Sequence, residues 1–309
     1  MVVSTTSCCL TVTHMHGDHV FGLPGLILFL QTANSTANER RSVEIYGPVG
    51  IYNYLVTALT LTMTEIRSLK VDDYELTGGT GRSMRKPVNR KTFREFRHRG
   101  ISRKSIPQNQ DGTWTLVEPL ELSTPELAME FTEPKGLLIK AAEIHHLPQL
   151  QCFGYMFQEA ANQLRPIDPE RAKALGCACT DNYRMLKAGF PVISDDGTRE
   201  IQPDQVCGEA AKPRKITILG DCSLVPRPME QLARNSDVLI HEATVLNSDK
   251  GSEKARAGGH STAADAGAFA DKVNAKVLLM NHLSRKTDYR VGIACCIQEA
   301  KSRLQGQTR

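Results

Sequence analysis

Short apolar runs, separated by polar turns, dominate the hydrophobic pattern of the chain. Six of them predict buried strands: CLTVT, VEIYG, LLIKAAEI, KITILG, DVLIHE and KVLLMN. Between them, helical patterns occur in GLPGLILFLQTAN, MEQLARNS and STAADAGAFADKVN. The last pattern opens with Thr262 three residues before Asp265, which predicts a capping box. Alternating strands and helices indicate a layered α/β fold.

Five of the predicted strands end on a residue type that commonly binds metal ions. These ends carry His14, His145 and His146, Asp221, His241 and Glu242, and His282. Side chains at matching ends of neighbouring strands converge, so we expect them to meet on one rim of a sheet. A single histidine at a strand end is more often simply packed or exposed, and each residue gains weight only from the shared position.

The stretch THMHGDHVFGLPG, residues 13 to 25, holds the densest group of such residues. Residues i and i+2 of a strand point the same way, so His14 and His16 can share a metal ion. After the turn at Gly17, Asp18 and His19 can face a second ion. A chance match to H-x-H-x-D-H in this chain has odds of roughly one in a few thousand. Imidazole and carboxylate without cysteine suit zinc, with manganese or iron as alternatives.

Seven residues complete a ligand set for two metal ions. His14, His16 and His146 would hold one ion, Asp18, His19 and His282 would hold the other, and Asp221 would bridge them. Two ions about 3.5–4 Å apart activate water and clamp the attacking and leaving oxygens of a displacement. This chemistry suits hydrolysis of phosphodiesters, esters or lactams, and the metals alone do not choose among them.

Composition fits a globular protein in a reducing compartment. A hydrophobic fraction of 40% and a charged fraction of 23% are ordinary for a chain of 309 residues. No apolar run approaches the roughly 20 residues of a membrane span, and no secretory signal is visible. Nine cysteines without C-x-x-C spacing indicate reduced thiols. We therefore expect an intracellular protein without membrane contact, in the cytoplasm or nucleus, with an organelle as the alternative.

A basic segment interrupts a chain whose net charge is only +4. From Arg82 to Lys104 it holds ten Lys/Arg and one acid, Glu95. One interpretation is a solvated loop, and the other is a patch that grips the backbone of a polyanion, because clustered basic residues release counterions from phosphates. We interpret this segment, like the Pro/Gly-rich stretch Arg165–Gly189, as an insertion into a single domain over residues 1–309.

Together these motifs resemble the tRNase Z family, the tRNA 3′-processing endonucleases of the metallo-β-lactamase superfamily. H-x-H-x-D-H marks the superfamily, and GDHVFGLPGL is more specific. Further matches follow in family order: VEIYGPVGI, a histidine before FGY, RKITILGDCS, DVLIHEAT, GHSTAADA and NHLSRKTDYR. The likeness covers about residues 8 to 290 and is greatest for the short form. It implies an αβ/βα four-layer sandwich with two zinc ions.

The resemblance also implies roles for individual residues. The ligand positions match His14, His16, Asp18, His19, His146, Asp221 and His282. Asp18 also matches a proton acceptor from the attacking water, and Glu242 and His260 match a pair that protonates the leaving 3′ oxygen. Without the resemblance, a solvated acid and a helix-flanking histidine would be the simpler interpretation of that pair. We expect a homodimer that cleaves precursor tRNA and leaves a 3′-hydroxyl on it.

Several departures from the family pattern modify these expectations. Only 13 residues precede His14, so we expect the sandwich to lack its first strands, and the last strand is open to the same interpretation. Residues of about 158–187 stand in place of a tRNA-binding arm, with GCACTD replacing a Gly-Pro motif. The spacing after His146 is two residues longer than expected, so His145 is a rival ligand. The alternatives are another superfamily hydrolase of small esters or phosphodiesters, and a truncated non-catalytic RNA-binding copy.

Overall fold

The structure is a computed structural model that describes residues 2–3, 7–34, 42–79, 97–130, 136–161, 164–246, 251–284 and 289–303. The strands in these ranges are β1 Val2–Val3, β2 Ser7–Thr11, β3 Ser42–Gly47, β4 Lys70–Thr77, β5 Ile101–Pro107, β6 Thr113–Val117, β7 Leu137–Ile144, β8 Cys152–Glu159, β9 Val192–Ile193, β10 Glu200–Ile201, β11 Lys215–Leu219, β12 Val238–Glu242 and β13 Val277–Asn281. The helices are α1 Gly17–Val20, α2 Leu23–Asn34, α3 Ile51–Leu61, α4 Pro125–Glu130, α5 Pro169–Ala174, α6 Thr180–Lys187, α7 Pro203–Val206, α8 Arg227–Ala233, α9 Gly251–Ala257, α10 Ala263–Lys272 and α11 Tyr289–Arg303. In these ranges, no helix combines the length and the apolar composition that a membrane span requires.

The six predicted strands are confirmed as β2, β3, β7, β11, β12 and β13, and the three predicted helices as α2, α8 and α10. The predicted capping box is also present. The Thr262 hydroxyl accepts a hydrogen bond from the Asp265 amide at 3.1 Å, and the Asp265 carboxylate accepts one from the Thr262 amide at 3.0 Å. These reciprocal bonds satisfy amides at the start of α10 that have no partner within the helix.

A five-stranded sheet has the order β1-β2-β3-β4-β5. Strands β2 to β5 are parallel, and β1 is antiparallel to β2. One face buries apolar side chains such as Val43, Ile45 and Val71 against Ile27 of α2 and Leu55 of α3. This packing fixes β2, and with it the start of the histidine-rich stretch.

A six-stranded sheet has the order β13-β12-β11-β8-β7-β6, in which β11, β12 and β13 are parallel. Its apolar core joins Leu219 and Leu239 of the sheet to Met229 of α8 and Ala270 of α10. A buried tyrosine on β8 connects this sheet to the other one, because the Tyr155 hydroxyl donates to the Val12 carbonyl at 2.6 Å. The parallel strands therefore end side by side, near the chain that leaves β2.

The sequence pattern did not reveal β4 or β5, because polar residues interrupt both. β4 buries Asp72, Asp73 and Glu75, and β5 begins within the basic segment and extends three residues beyond it. Residues 101–104 of that segment therefore form a strand instead of a loop. Their basic side chains are accommodated there since Arg103 pairs with Glu75, and Lys104 with Asp72. Residues 82–96 of the segment lie outside the described ranges.

The chain divides into two compact units. The larger comprises Met1–Leu116, Lys140–Met156 and Ile216–Arg309, and the smaller comprises Val117–Ile139 and Phe157–Lys215. The smaller unit has its own apolar core, which includes Cys177 of the GCACTD stretch, fully buried beside Leu186 and Val206. The stretch therefore folds despite its departure from the family pattern. The expected single domain over residues 1–309 stays a prediction.

Candidate metal centre

Four ligand atoms of the larger unit form a first group. His14 and His16 follow β2 in extended chain, His146 follows β7, and Asp221 follows β11. The Nδ1 atom of His16 lies 3.1 Å from Nε2 of His14 and 3.3 Å from Nε2 of His146. Nε2 of His14 is 3.8 Å from Oδ2 of Asp221. These atoms all lie within 4.8 Å of one another.

A second group of ligand atoms shares the Asp221 carboxylate with the first. The turn at Gly17 starts α1 and brings Asp18 and His19 to the site, while His282 follows β13. Oδ2 of Asp221 lies 3.6 Å from Nε2 of His19 and 3.5 Å from Nε2 of His282. Oδ2 of Asp18 lies 3.6 Å from Nε2 of His19 and 3.9 Å from Nε2 of His282. Asp221 is thus placed where it could bridge two ions.

The spacing of these nitrogens fits zinc. In a tetrahedral site with Zn–N bonds of about 2.0–2.1 Å, neighbouring nitrogens lie about 3.3 Å apart. The separations of 3.1 and 3.3 Å between the nitrogens of the first group agree with that edge. Imidazole and carboxylate donors without a thiolate also suit zinc, so the residues present could hold two such ions.

Hydrogen bonds on the far side of the ring orient four of the candidate imidazole ligands, those of His14, His19, His146 and His282. Nδ1 of His146 lies 2.7 Å from the Gly259 carbonyl, which only accepts, so Nδ1 carries the proton and Nε2 is free to bind an ion. Nδ1 of His282 lies 2.7 Å from the Thr244 hydroxyl. The Thr13 hydroxyl lies 3.1 Å from Nδ1 of His14 and 3.3 Å from Nδ1 of His19.

The electrostatics of the centre favour neutral imidazoles at His14 and His146 and an ionised carboxylate at Asp221. Burial lowers the pKa of His14 to about 3, and it also lowers the pKa of His146. Burial alone would raise the pKa of Asp221, but its interaction with His19 and the proximity of His282 outweigh this and lower it to about 2. The same interaction raises the pKa of His19. Metal ligands must be deprotonated, so His14, His146 and Asp221 are already in the binding form.

Glu242 and His260 form an ion pair beside the second group. Nδ1 of His260 donates to Oε1 of Glu242 at 2.9 Å, and this bond raises the pKa of His260. Burial would raise the pKa of Glu242, but hydrogen bonds from His260, Thr244 and the Cys222 amide lower it. One ring nitrogen of His260 lies within 4.8 Å of ligand atoms of Asp221 and His282. The pair therefore faces the same space as the candidate metal ligands.

Two backbone conformations hold this arrangement in place. Gly259 has φ of +76°, and a Cβ atom there would lie 2.5 Å from the His146 carbonyl oxygen, so glycine alone fits. His282 has φ of +55°, a left-handed conformation that is uncommon for a residue with a side chain. For a residue with a side chain, such as His282, this conformation costs about 1–3 kcal/mol, and such conformations concentrate at functional sites.

The structure brings all nine predicted site residues together in the larger unit. The expected location on one rim of one sheet is wrong, because His14 follows β2 of the five-stranded sheet, whereas His146, Asp221 and His282 follow strands of the six-stranded sheet. His146 belongs to the first group, whereas the rival His145 is exposed and outside the groups that could hold an ion. His241 is buried against Phe269 and is outside the groups of described residues that could hold an ion.

Comparison with known proteins identifies the family. The chain is 32% identical over 276 residues to mouse Zinc phosphodiesterase ELAC protein 1, covering 89% of this chain and 71% of the mouse protein. It is also 32% identical over 278 residues to Ribonuclease Z of Streptococcus pneumoniae (strain CGSP14), with the same two coverages. The chain belongs to the ribonuclease Z family. No model of a protein family matches the chain.

Solved structures give the fold of this ribonuclease Z family member. The crystal structure of human tRNase Z, short form, superposes with a TM-score of 0.54 at 24% identity, covering 90% of this chain and 73% of the human chain. A long-form RNase Z from yeast gives a TM-score of 0.50 at 16% identity, covering 91% and 29%. The chain therefore has the metallo-β-lactamase fold, with an α/β architecture and mixed sheets.

The sequence pattern did not predict a role for three residues that orient the centre. Thr13, Thr244 and Gly259 supply the hydrogen-bond partners of the candidate ligands. Each lies within a motif already noted: Thr13 in THMHGDHVFGLPG, Thr244 in DVLIHEAT and Gly259 in GHSTAADA. Their proximity to those motifs was the available signal. Their role depends on which residues face them from other strands, and a single sequence does not contain that information.

Proposed function

We propose that the chain is a zinc-dependent endoribonuclease that removes 3′ trailers from precursor tRNA. The single observation that carries the proposal is the Glu242–His260 pair, whose imidazole lies within 4.8 Å of ligand atoms of Asp221 and His282. A proton donor beside a two-metal ligand set is what phosphodiester cleavage needs at its leaving oxygen. Membership of the ribonuclease Z family supports the same substrate class.

In this proposal two side chains each carry out one proton transfer of the hydrolysis. Asp18 accepts a proton as the oxygen of water forms its bond to phosphorus. His260 gives a proton from its Nε2 atom to the 3′ oxygen of the tRNA as the phosphorus–oxygen bond breaks. Glu242 holds Nδ1 of His260 and so fixes which ring nitrogen faces the substrate. When bound, the two zinc ions supply Lewis acidity and clamp the reacting oxygens.

The products would be a tRNA with a 3′-hydroxyl and a trailer with a 5′-phosphate. The test is cleavage of a precursor tRNA with a labelled trailer, with bis(p-nitrophenyl) phosphate as a generic phosphodiester. Site-specific cleavage of the precursor supports the proposal. Hydrolysis of the small diester without precursor cleavage would favour another hydrolase of the superfamily. A chain that binds RNA but holds far fewer than about two zinc ions would be the non-catalytic alternative.

Two surfaces are proposed to hold the tRNA. The first is the basic segment of residues 82–104, whose described members include Arg97 and Arg99, both exposed. The second is the arm of about residues 158–187, within the smaller unit, where α5 and α6 carry basic residues in their last turns. Asp168 caps α5 by accepting hydrogen bonds from the amides of Glu170 and Arg171. Neither surface presents an aromatic ladder among the described residues, so both would bind backbone phosphates.

We also propose a homodimer as the assembled form. Phe21 and Phe29 are 74% and 68% exposed, and the positions next to Gly22 and Gly25 are open. A twofold contact is self-complementary, so each subunit could place phenyl rings over the glycines of its partner. Two exposed aromatic side chains, Phe21 in the turn before α2 and Phe29 on α2, favour such a contact over solvent.

A further inference from the structure

We propose that Thr244 is a positioning residue that connects the candidate ligand His282 to the Glu242–His260 pair. Thr244 lies two residues beyond β12, in the HEAT motif, and has no role in the function proposed above. The inference deepens that proposal and rests on its metal centre. The evidence for it is the set of hydrogen-bond partners of the Thr244 hydroxyl group.

The Thr244 hydroxyl has a single proton, and its direction is determined by Glu242. A carboxylate only accepts hydrogen bonds, so the hydroxyl that touches Oε2 of Glu242 must donate to it. The Thr244 amide also donates to this oxygen, at 3.2 Å. Because Glu242 is 1% exposed, water does not compete for these contacts.

The oxygen of the same hydroxyl must then act as acceptor for His282. It lies 2.7 Å from Nδ1 of His282. Because the hydroxyl proton is donated to Glu242, the proton of this second hydrogen bond must be carried by Nδ1 of His282. A neutral imidazole protonated at Nδ1 has its lone pair on Nε2. That atom faces Oδ2 of Asp221 at 3.5 Å and Oδ2 of Asp18 at 3.9 Å. Thr244 thereby selects the tautomer that can bind an ion there.

Glu242 extends this connection to the other loops of the centre. Its second oxygen, Oε1, accepts from Nδ1 of His260 at 2.9 Å and from the Cys222 amide at 2.9 Å. Cys222 directly follows Asp221, the candidate bridging ligand. The buried Glu242 carboxylate and the Thr244 hydroxyl therefore connect the segments that directly follow β11, β12 and β13. The proton donor and the ligands would be held in a fixed relation by this network.

His282 depends on a side chain in a way that His146 does not. The main-chain carbonyl of Gly259 holds Nδ1 of His146, and a side-chain substitution elsewhere leaves that carbonyl in place. In the described part of the chain, the hydrogen-bond partner of the His282 ring is the Thr244 side chain. His282 also lies just beyond the end of β13, in a left-handed conformation. Its ring is therefore oriented by Thr244 more than by its own strand.

The test compares Thr244→Val, which removes the hydroxyl and keeps the shape, with Thr244→Ser, which keeps the hydroxyl. Thr217→Val is the control, because Thr217, which is fully buried where Thr244 is partly buried, also pairs its hydroxyl with another side chain, Ser236, on a part of the sheet away from the centre. Zinc affinity is measured by competition with a chromogenic chelator. The tautomer of His282 is measured in metal-free protein by long-range proton–nitrogen correlation spectra of the imidazoles.

We expect Thr244→Val to weaken the binding of one zinc ion by about 10–100-fold, the usual effect of removing the group that orients a ligand. We also expect the His282 signal to shift from the Nδ1–H tautomer towards a mixture, while Thr244→Ser and Thr217→Val resemble the parent in both measurements. An unchanged tautomer and unchanged zinc affinity in Thr244→Val would overturn the inference. Neither measurement uses tRNA, so a chain that fails to cleave precursor tRNA would refute the proposed function alone.

Discussion

Asp221 is the residue on which the two candidate metal sites depend together. Its Oδ2 atom lies between 3.5 and 3.8 Å from nitrogens of His14, His19 and His282. Three imidazoles therefore surround one buried carboxylate oxygen. The negative charge on this oxygen would offset part of the charge of two divalent ions.

We predict that Asp221→Asn loses both zinc ions and precursor cleavage, while the fold is largely retained. The amide has no negative charge and cannot bridge two cations through one oxygen. Zinc per chain, measured by atomic emission, and circular dichroism check the two parts. Asp111→Asn, at an exposed position, is the control. Near-parental turnover with two zinc ions in Asp221→Asn would show that Asp221 is not a bridge.

His260→Ala should retain zinc and lose rate. General acid catalysis typically contributes about 10²–10⁴-fold, and that is the expected loss in kcat for precursor cleavage. Glu242→Gln should lose part of this rate, because a neutral amide supports His260 less well. Zinc analysis of both variants accompanies the kinetics. If His260→Ala loses an ion, His260 is a ligand, which its position near Asp221 and His282 also allows.

At the scale of elements, β4 carries buried carboxylates on its two faces. Asp72 accepts a hydrogen bond from Ser102 and pairs with Lys70 and Lys104. Asp73 points to the other side, into the apolar face, and within the described chain neither of its oxygens has a hydrogen-bond partner. Burial and the neighbouring Glu75 raise the pKa of Asp73 to about 8, although Arg103 opposes this.

We predict that Asp73→Asn increases the free energy of unfolding relative to the parent, and that this increase grows as the pH rises. The unfolded chain ionises this carboxyl near pH 3.8, and the folded chain ionises it only near pH 8. The free energy of unfolding of the parent therefore decreases as the pH rises from 3.8 to 8, by at most about 1.4 kcal/mol per pH unit. Relative to the parent, the free energy of unfolding of Asp73→Asn should rise by up to about 4 kcal/mol between pH 5 and pH 8. Urea titrations at both pH values provide the measurement.

Asp72→Asn is the control of opposite sign on the same strand. Burial would raise the pKa of Asp72, but Ser102, Lys70 and Lys104 lower it, so ionised Asp72 stabilises the folded chain above its unfolded pKa. Its asparagine variant should therefore be less stable than the parent at pH 7. Equal pH profiles for the parent and Asp73→Asn would show that Asp73 is ionised in the folded state at low pH as well.

In our proposal the basic segment contributes to the affinity for precursor tRNA. The prediction concerns how this affinity depends on salt concentration. Replacing Arg90, Lys91, Arg94 and Arg97 by serine should weaken binding of precursor tRNA. The log–log slope of affinity against salt should flatten by up to about 0.9 for each duplex phosphate that the variant no longer neutralises. Hydrolysis of bis(p-nitrophenyl) phosphate should not change. The control replaces Lys272 and Lys276, which already pair with Glu230 and Asp237. An unaltered slope returns the segment to the solvated-loop interpretation.

At the scale of the whole molecule, the prediction concerns the proposed homodimer. Phe29→Ser removes an exposed ring from α2, so it should leave the free energy of unfolding of a monomer nearly unchanged while it weakens association. Sedimentation velocity over a range of concentrations measures the dissociation constant. Leu61→Ser, which replaces a similarly exposed apolar side chain at the end of α3, is the control. A monomeric parent at all concentrations would contradict the dimer.

The sequence by itself predicted most residues of the candidate metal centre and the strands that precede them. Spacing was sufficient because residues i and i+2 of extended chain share a direction, as His14 and His16 do. It was sufficient for the strand ends because parallel strands end on the same side, which placed Asp221, Glu242 and His282 near each other. The capping box at Thr262 was likewise local, since its two hydrogen bonds join residues three apart.

Only the tertiary structure decided the relations between these local features. It separated His146 from His145, because adjacent residues point in different directions and packing alone sets which one faces inward. It placed the centre between two sheets instead of on one rim. It also gave Thr13, Thr244 and Gly259 their roles, and it buried the Asp73 carboxyl in the apolar face of β4. Each of these depends on contacts between distant parts of the chain, which no spacing along one sequence encodes.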